Sequence, residues 1–150
     1  MKYFPNLSPL QIDRFQRLEG IYQNWNEKIN VLSRKDMDHL YEKHVLHSLS
    51  IAQFHTFSDH TQILDVGTGG GFPGIPLAIL FPTCQFTLVD SIGKKIMVVN
   101  DVIETLSLEN VTAINTRAES LPGKYHFVVS RAVTAMPKFL SWVKNSIRKD

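Results

Sequence analysis

Residues able to do chemistry concentrate between positions 62 and 90, which read QILDVGTGGGFPGIPLAILFPTCQFTLVD. Asp65 precedes a glycine-dense turn containing Gly67, Gly69, Gly70 and Gly71, and Asp90 closes the next apolar run. Glycines let the backbone turn sharply through positive φ and leave no side chains between its N–H groups and a ligand. A carboxylate ending the following strand stands at the same sheet edge, where it accepts hydrogen bonds from a ribose hydroxyl pair. Such chemistry suits a nucleotide-containing cofactor, and two frames fit it. Gly69, Gly71 and Gly74 satisfy G-x-G-x-x-G, the dinucleotide fingerprint. Asp65, Gly67, Gly69 and Gly71 also satisfy D-x-G-x-G-x-G, in which the acid supports a loop facing the charged amino-acid end of S-adenosylmethionine. A pyrophosphate would be repelled by a carboxylate there. On spacing alone both frames stay open.

The flanking pattern supplies the elements that position these residues. An apolar run at 63–66 predicts a strand, and residues 74–81 a helix, with Pro73 and Pro76 where a first turn tolerates a missing N–H. Residues 86–89 are a second strand, 93–106 an amphipathic helix, 111–115 a third strand and 127–130 a fourth. A closing helix is expected over 135–148, with Phe139, Trp142, Val143 and Ile147 inward. Strands alternating with helices predict an α/β fold with a parallel, doubly wound sheet. Its ligand lies outside the carboxyl ends of the strands. That edge gathers the 67–71 turn, Asp90, the Arg117-Ala118-Glu119 loop and the Ser130-Arg131-Ala132 turn. Before the sheet, Ser8-Pro9-Leu10-Gln11 is a capping box opening a helix to about Lys28, with Phe15, Leu18, Tyr22, Trp25 and Ile29 on one stripe. These aromatics read as core packing. Ser33 or Asp36 caps a second helix that carries Leu40, Tyr41, Val45 and Leu49 inward. Residues 1–60 thus form a helical cap and 61–150 the sheet-containing core.

Composition narrows the function. The chain has 150 residues, 43% of them apolar, enough to bury a core. Its 16 basic and 14 acidic residues leave a net charge of +2, so a polyanionic partner must be met by a local patch. A single cysteine, Cys84, excludes an internal disulfide and suits a reducing compartment. No apolar run approaches the roughly 18 residues of a membrane span, and no signal-peptide layout opens the chain. A cytoplasmic location is expected, without a membrane partner.

The runs LDVGTGGGFPGIPLAI, TLVDSIGKK, LENV, RAE and SRAV, in this order and spacing, resemble the bacterial RsmG family, also called glucose-inhibited division protein B. WNEKINVLSRKD followed by HVLHSL resembles that family's cap, so the likeness spans nearly the whole chain. It implies a Rossmann-like class I S-adenosyl-L-methionine-dependent methyltransferase that modifies N7 of a guanine in 16S ribosomal RNA, free or in the small ribosomal subunit. By the same match, Gly67 and Phe72 contact the cofactor, Gly69 and Gly71 shape its turn, and Asp90 is the ribose acid. Ala118 and Glu119 border the adenine, and Arg131 lines the cofactor and substrate side. A flipped guanine would stack on Phe72 and Arg131. Guanine N7 carries a lone pair and no proton, so no catalytic acid or base is expected, only in-line positioning in a desolvated site. Arg34, Lys35, Lys94, Lys95 and Arg117, with Arg131, are candidates for the RNA-binding patch.

Three features sit less easily with that likeness. His44 and His47 are three apart on a predicted helix but lack a third ligand, so no metal is expected; the family has aspartate where this chain has His47. The implied sheet has seven strands, whereas about four are recognisable here, so the chain is either a fragment or a fold that closes its edge by self-association. An NAD-dependent oxidoreductase and a non-catalytic S-adenosylmethionine or RNA binder are the alternative functions.

Overall fold

The computed structural model describes residues 2–149. Helix α1 (Pro9–Lys28) opens on the expected capping box: Ser8 Oγ accepts from the Gln11 N–H, and Gln11 Oε1 accepts from the Ser8 N–H at 2.8 Å. Phe15, Leu18 and Tyr22 are fully buried, while Trp25 and Ile29 pack at the margin of the stripe. Helix C-termini leave carbonyls without intrahelical partners, and α1 supplies donors to two of them. Gln11 Nε2 donates to the Ile79 and Leu80 carbonyls at the end of α5 (Gly74–Leu80). Arg14 and Arg17 donate to the carbonyls of Leu106, Ser107 and Thr105, at the end of α6 (Gly93–Thr105). The cap is therefore latched to the helices that cover the sheet.

Ser33 is the second cap, its Oγ accepting from the Asp36 N–H at 3.1 Å. The helix it starts is not continuous. Helix α2 (Arg34–Met37) leads into a π-helical turn (Tyr41–Leu46), then α3 (His47–Leu49) and α4 (Ile51–Phe54). Leu40, Val45 and Leu49 still point into the core, which is why apolar spacing alone concealed the wider turn.

Strands β1 (Gln62–Val66), β2 (Gln85–Asp90), β3 (Val111–Asn115) and β4 (Phe127–Val129) form one parallel sheet in the order β3-β2-β1-β4. β1 lies inside the sheet, and its run Ile63 to Val66 is buried on both faces, as interior parallel strands are. Ile63 joins the core shared with α1, α5 and α6, so cap and sheet pack into one cluster. Leu64 and Val66 face the other way, onto Val89, Ala118 and Val143 of α7 (Met136–Val143). The register pairs Asp65 with Leu88 and Val129, and Asp90 with Asn115. Strand ends carrying the candidate residues therefore share one edge.

The closing helix is shorter than the sequence pattern predicts. It ends at Val143, residues 144–146 turn, and Ile147 bridges Tyr125: the Tyr125 N–H donates to the Ser146 carbonyl at 2.7 Å, and the Arg148 N–H to the Tyr125 carbonyl at 2.9 Å. Ile147, expected inward, is exposed, and Ser146 is buried in its place. Backbone pairing with Tyr125 overrides a helical apolar spacing.

Candidate cofactor pocket and the basic cavity beside it

After Val66 the chain turns through Gly67, Gly69 and Gly71, at φ of 67°, 58° and 107°. Asp65 staples this turn from below. Its Oδ2 accepts from the Thr68 hydroxyl at 2.7 Å and from the Gly74 N–H at 2.8 Å, tying the end of β1 to the start of α5. A Cβ on Gly74 would stand 2.8 Å from that same oxygen and 2.6 Å from Leu88 Cγ, so only glycine allows the approach. Asp65 is fully buried, which pushes its carboxyl up to about 7 despite the two donors. The turn is also tied to β2, because the Gly69 N–H donates to Asp90 Oδ2 at 2.9 Å. Asp90 Oδ1 accepts from the Ile92 N–H. Each carboxylate oxygen retains a lone pair for a further donor.

Above the turn lies a cavity of ≈ 290 Å³ bounded by Val66, Gly67, Val89, Asp90, Ser91, Thr116 to Glu119, Ala132, Val133 and Trp142. Four loops meet there, as the sheet order demands. A Cβ on Gly67 would come 2.7 Å from Val133 Cγ2, so the room at this wall depends on glycine. A lining of two carboxylates, Asp90 and Glu119, a glycine and the apolar side chains of Val66, Val89 and Trp142 suits a ligand that joins a ribose to a flat ring.

Tyr22, expected only as core, also shapes the turn. Its hydroxyl donates to the Gly70 carbonyl at 2.5 Å from a fully buried position. Tyr22→Phe should leave that carbonyl unpaired, lower stability by about 1–3 kcal/mol and weaken cofactor binding; thermal melts with and without S-adenosylmethionine read both effects. Equal melting temperatures in wild type and variant would contradict it.

A model of the family described as GidB: rRNA small subunit methyltransferase G matches residues 11–150. The ribosomal RNA small subunit methyltransferase G of Flavobacterium johnsoniae is 61% identical over 149 residues, covering 99% of this chain and 71% of that one. Its namesake from Porphyromonas gingivalis is 53% identical, covering 99% and 67%. The chain belongs to the rRNA small subunit methyltransferase G family. Among solved structures, coclaurine N-methyltransferase bound to N-methylheliamine and SAH has a TM-score of 0.63 at 16% identity, over 71% of this chain and 33% of that one. A SAM-dependent methyltransferase from Aquifex aeolicus has a TM-score of 0.59 at 16% identity, over 78% and 68%. At such identities the likeness is one of fold, and the fold is that of class I methyltransferases.

Within this chain the candidate residues divide. Gly67, Asp90, Arg117, Ala118 and Glu119 line the cavity, while Gly69 and Gly71 belong to the same turn but do not line it. Phe72 does not reach it. Its ring is buried between those of Tyr22 and His44, each with centroids 5.1 Å away, which leaves no face for a cofactor or a base. Arg131 stands outside the cavity wall, with its guanidinium 5.6 Å over the Phe72 ring and its donors turned to the cap. Of the basic candidates, Arg34, Lys94 and Lys95 share a second cavity of ≈ 560 Å³, which Lys28 joins and, among the described residues, only one carboxylate, Glu27, enters. Lys28 was missed because it reads as the basic last turn of α1. Lys35 is exposed outside that cavity, and Arg117 faces Glu119 at 4.0 Å in the first. Among the described residues no three His, Cys, Asp or Glu side chains converge on a metal site, and no helix is long and apolar enough to cross a membrane.

Proposed function

We propose that this chain is an S-adenosylmethionine-dependent methyltransferase acting in the cytoplasm on N7 of a guanine in 16S ribosomal RNA. The observation that carries it is the buried Asp65 staple beneath a glycine turn whose next strand ends in Asp90, in a chain of the methyltransferase G family. When bound, S-adenosylmethionine supplies an electrophilic methyl group on a sulfonium centre. Asp90 would accept from the ribose hydroxyls, Ala118 and Glu119 would border the adenine, and Val66, Val89 and Trp142 would exclude water. Because N7 needs no deprotonation, the protein's part is to hold the guanine in line. Lys28, Arg34, Lys94 and Lys95 would neutralise phosphates beside the pocket, and Arg117 and Arg131 would meet the RNA nearer to the cofactor.

Calorimetric titration with S-adenosylmethionine and, separately, NAD tests the cofactor, and methyl transfer to small-subunit RNA tests the substrate. Binding of S-adenosylmethionine alone, weakened in Asp90→Ala, and methylation of one guanine are expected; preference for NAD would overturn the reading. Charge reversal of Lys94 and Lys95 to Glu should lower RNA affinity and flatten its salt dependence by about 0.7 in logarithmic slope per lost contact. An unchanged slope would remove both lysines from the interface.

A further inference from the structure

Arg131 is a half-buried cation with no carboxylate within 4.0 Å among the described residues. Neutral acceptors hold it instead. Its NH2 lies 2.7 Å from His44 Nδ1, its NH1 donates to the Lys43 carbonyl at 3.3 Å, and His47 Nδ1 is 3.5 Å from NH1. Guanidinium is always a donor, so the short contact to His44 requires Nδ1 to accept, which places the imidazole proton on Nε2. That nitrogen is buried, lacks a hydrogen-bond partner and sits 3.6 Å from Asp36 Oδ2. The other Asp36 oxygen is taken by Lys43 Nζ at 3.1 Å. The π-helical turn that presents both the Lys43 carbonyl and His44 is a backbone irregularity of the sort that gathers at functional sites. Asp65 and Asp36 attract Arg131 only beyond contact distance, so no contact ion pair neutralises its charge, which stays open to an incoming anion.

Resting on the RNA reading above, we propose that His44 is a positioning residue: as a neutral acceptor it aims Arg131 at the ribosomal RNA substrate. The charged and titratable groups facing His44 are Arg131 on the turn after β4, Asp36 on α2, His47 on α3 and Lys43 on its own turn. Burial first, and then the charge of Arg131, lower its pKa below 6.5 against the opposing pull of Asp36. Once protonated, Nδ1 would present a hydrogen to a donor 2.7 Å away, and the clamp would open. RNA affinity should therefore fall as pH drops through that lowered pKa.

The test combines imidazole nitrogen NMR with RNA binding and methyl transfer on the full chain. In the wild type, His44 should be the Nε2–H tautomer, and Arg131→Gln should raise its titration midpoint. A protonated Nδ1 at neutral pH, or a midpoint unmoved by Arg131→Gln, would overturn the clamp even if RNA binding were absent. For small-subunit RNA, His44→Ala should lower affinity and kcat/KM roughly tenfold at neutral pH. His44→Gln keeps an acceptor that does not titrate, so it should restore neutral-pH affinity and abolish the acid limb. Affinity for S-adenosylmethionine should be equal in all three proteins, which separates failure of the clamp from failure of the cofactor reading. An acid limb identical in wild type and His44→Gln would exclude the positioning role.

Discussion

Gly71→Ala should destabilise the fold by roughly 2–6 kcal/mol and remove most of its affinity for S-adenosylmethionine. Two independent costs fall on one methyl group. Residue 71 sits at φ 107°, a conformation that L side chains rarely adopt. The new Cβ would also stand 2.6 Å from Ile75 Cγ1 and 3.1 Å from the Tyr22 hydroxyl. Ile75 is fully buried and β-branched, so it has no alternative rotamer to yield into, and Tyr22 is held by the Gly70 carbonyl. The Gly71 carbonyl meanwhile accepts the Ile75 N–H at 2.7 Å in the entry to α5, so relief of strain at residue 71 moves that helix as well. Denaturant midpoints and calorimetry on the variant check both losses. Gly20→Ala is the control, since a Cβ there meets nothing within 4 Å in the middle of α1. That change should stabilise by about 0.5–1 kcal/mol. A Gly71→Ala protein within 1 kcal/mol of wild type would mean that the turn relaxes freely.

What was legible in the sequence was local. The capping box at Ser8 and the Asp65 and glycine spacing depend on neighbours a few residues away, Asp90 is marked by the apolar run it ends, and each takes its expected place in the chain. The unread part consists of contacts between distant segments. Tyr22 reaches Gly70 across 48 residues, and Arg131 reaches His44 across 87. Neither pairing leaves a trace in periodicity or motif. Phe72 shows the same limit from the other side: the family resemblance implied a ligand contact, whereas the rings of Tyr22 and His44 enclose it. At the chain's end, Lys144-Asn145-Ser146 has no glycine or proline to mark a stop, so the turn into the bridge with Tyr125 was invisible to local signals. His44 drew attention only through its spacing from His47, a pattern that says nothing of its contact with Arg131.

Asp65 sets the second large effect, a dependence of stability on pH. Its ordinary value is near 3.8, and burial raises it to about 7, with the Thr68 hydroxyl and Gly74 N–H opposing. A carboxyl whose folded value lies above its unfolded one stabilises the fold fully below about pH 4. That contribution is lost as pH rises through about 7, because ionisation is then favoured in the unfolded chain. The gap corresponds to about 4 kcal/mol between those limits. Asp65→Asn is the informative partner, since an amide oxygen can still accept from Thr68 and Gly74 but cannot ionise. Measured from pH 4 to pH 8 by denaturant unfolding, the wild type should lose stability relative to Asp65→Asn, most steeply about midway between the two values, near pH 5–6, and level off above about pH 7. The amide also places an NH2 where Oδ1 now lies buried without a partner, so the variant should be the weaker protein at pH 4 and regain ground as pH climbs. Parallel curves across this range would show that the buried carboxyl titrates at its ordinary value, and that its two donors outweigh burial.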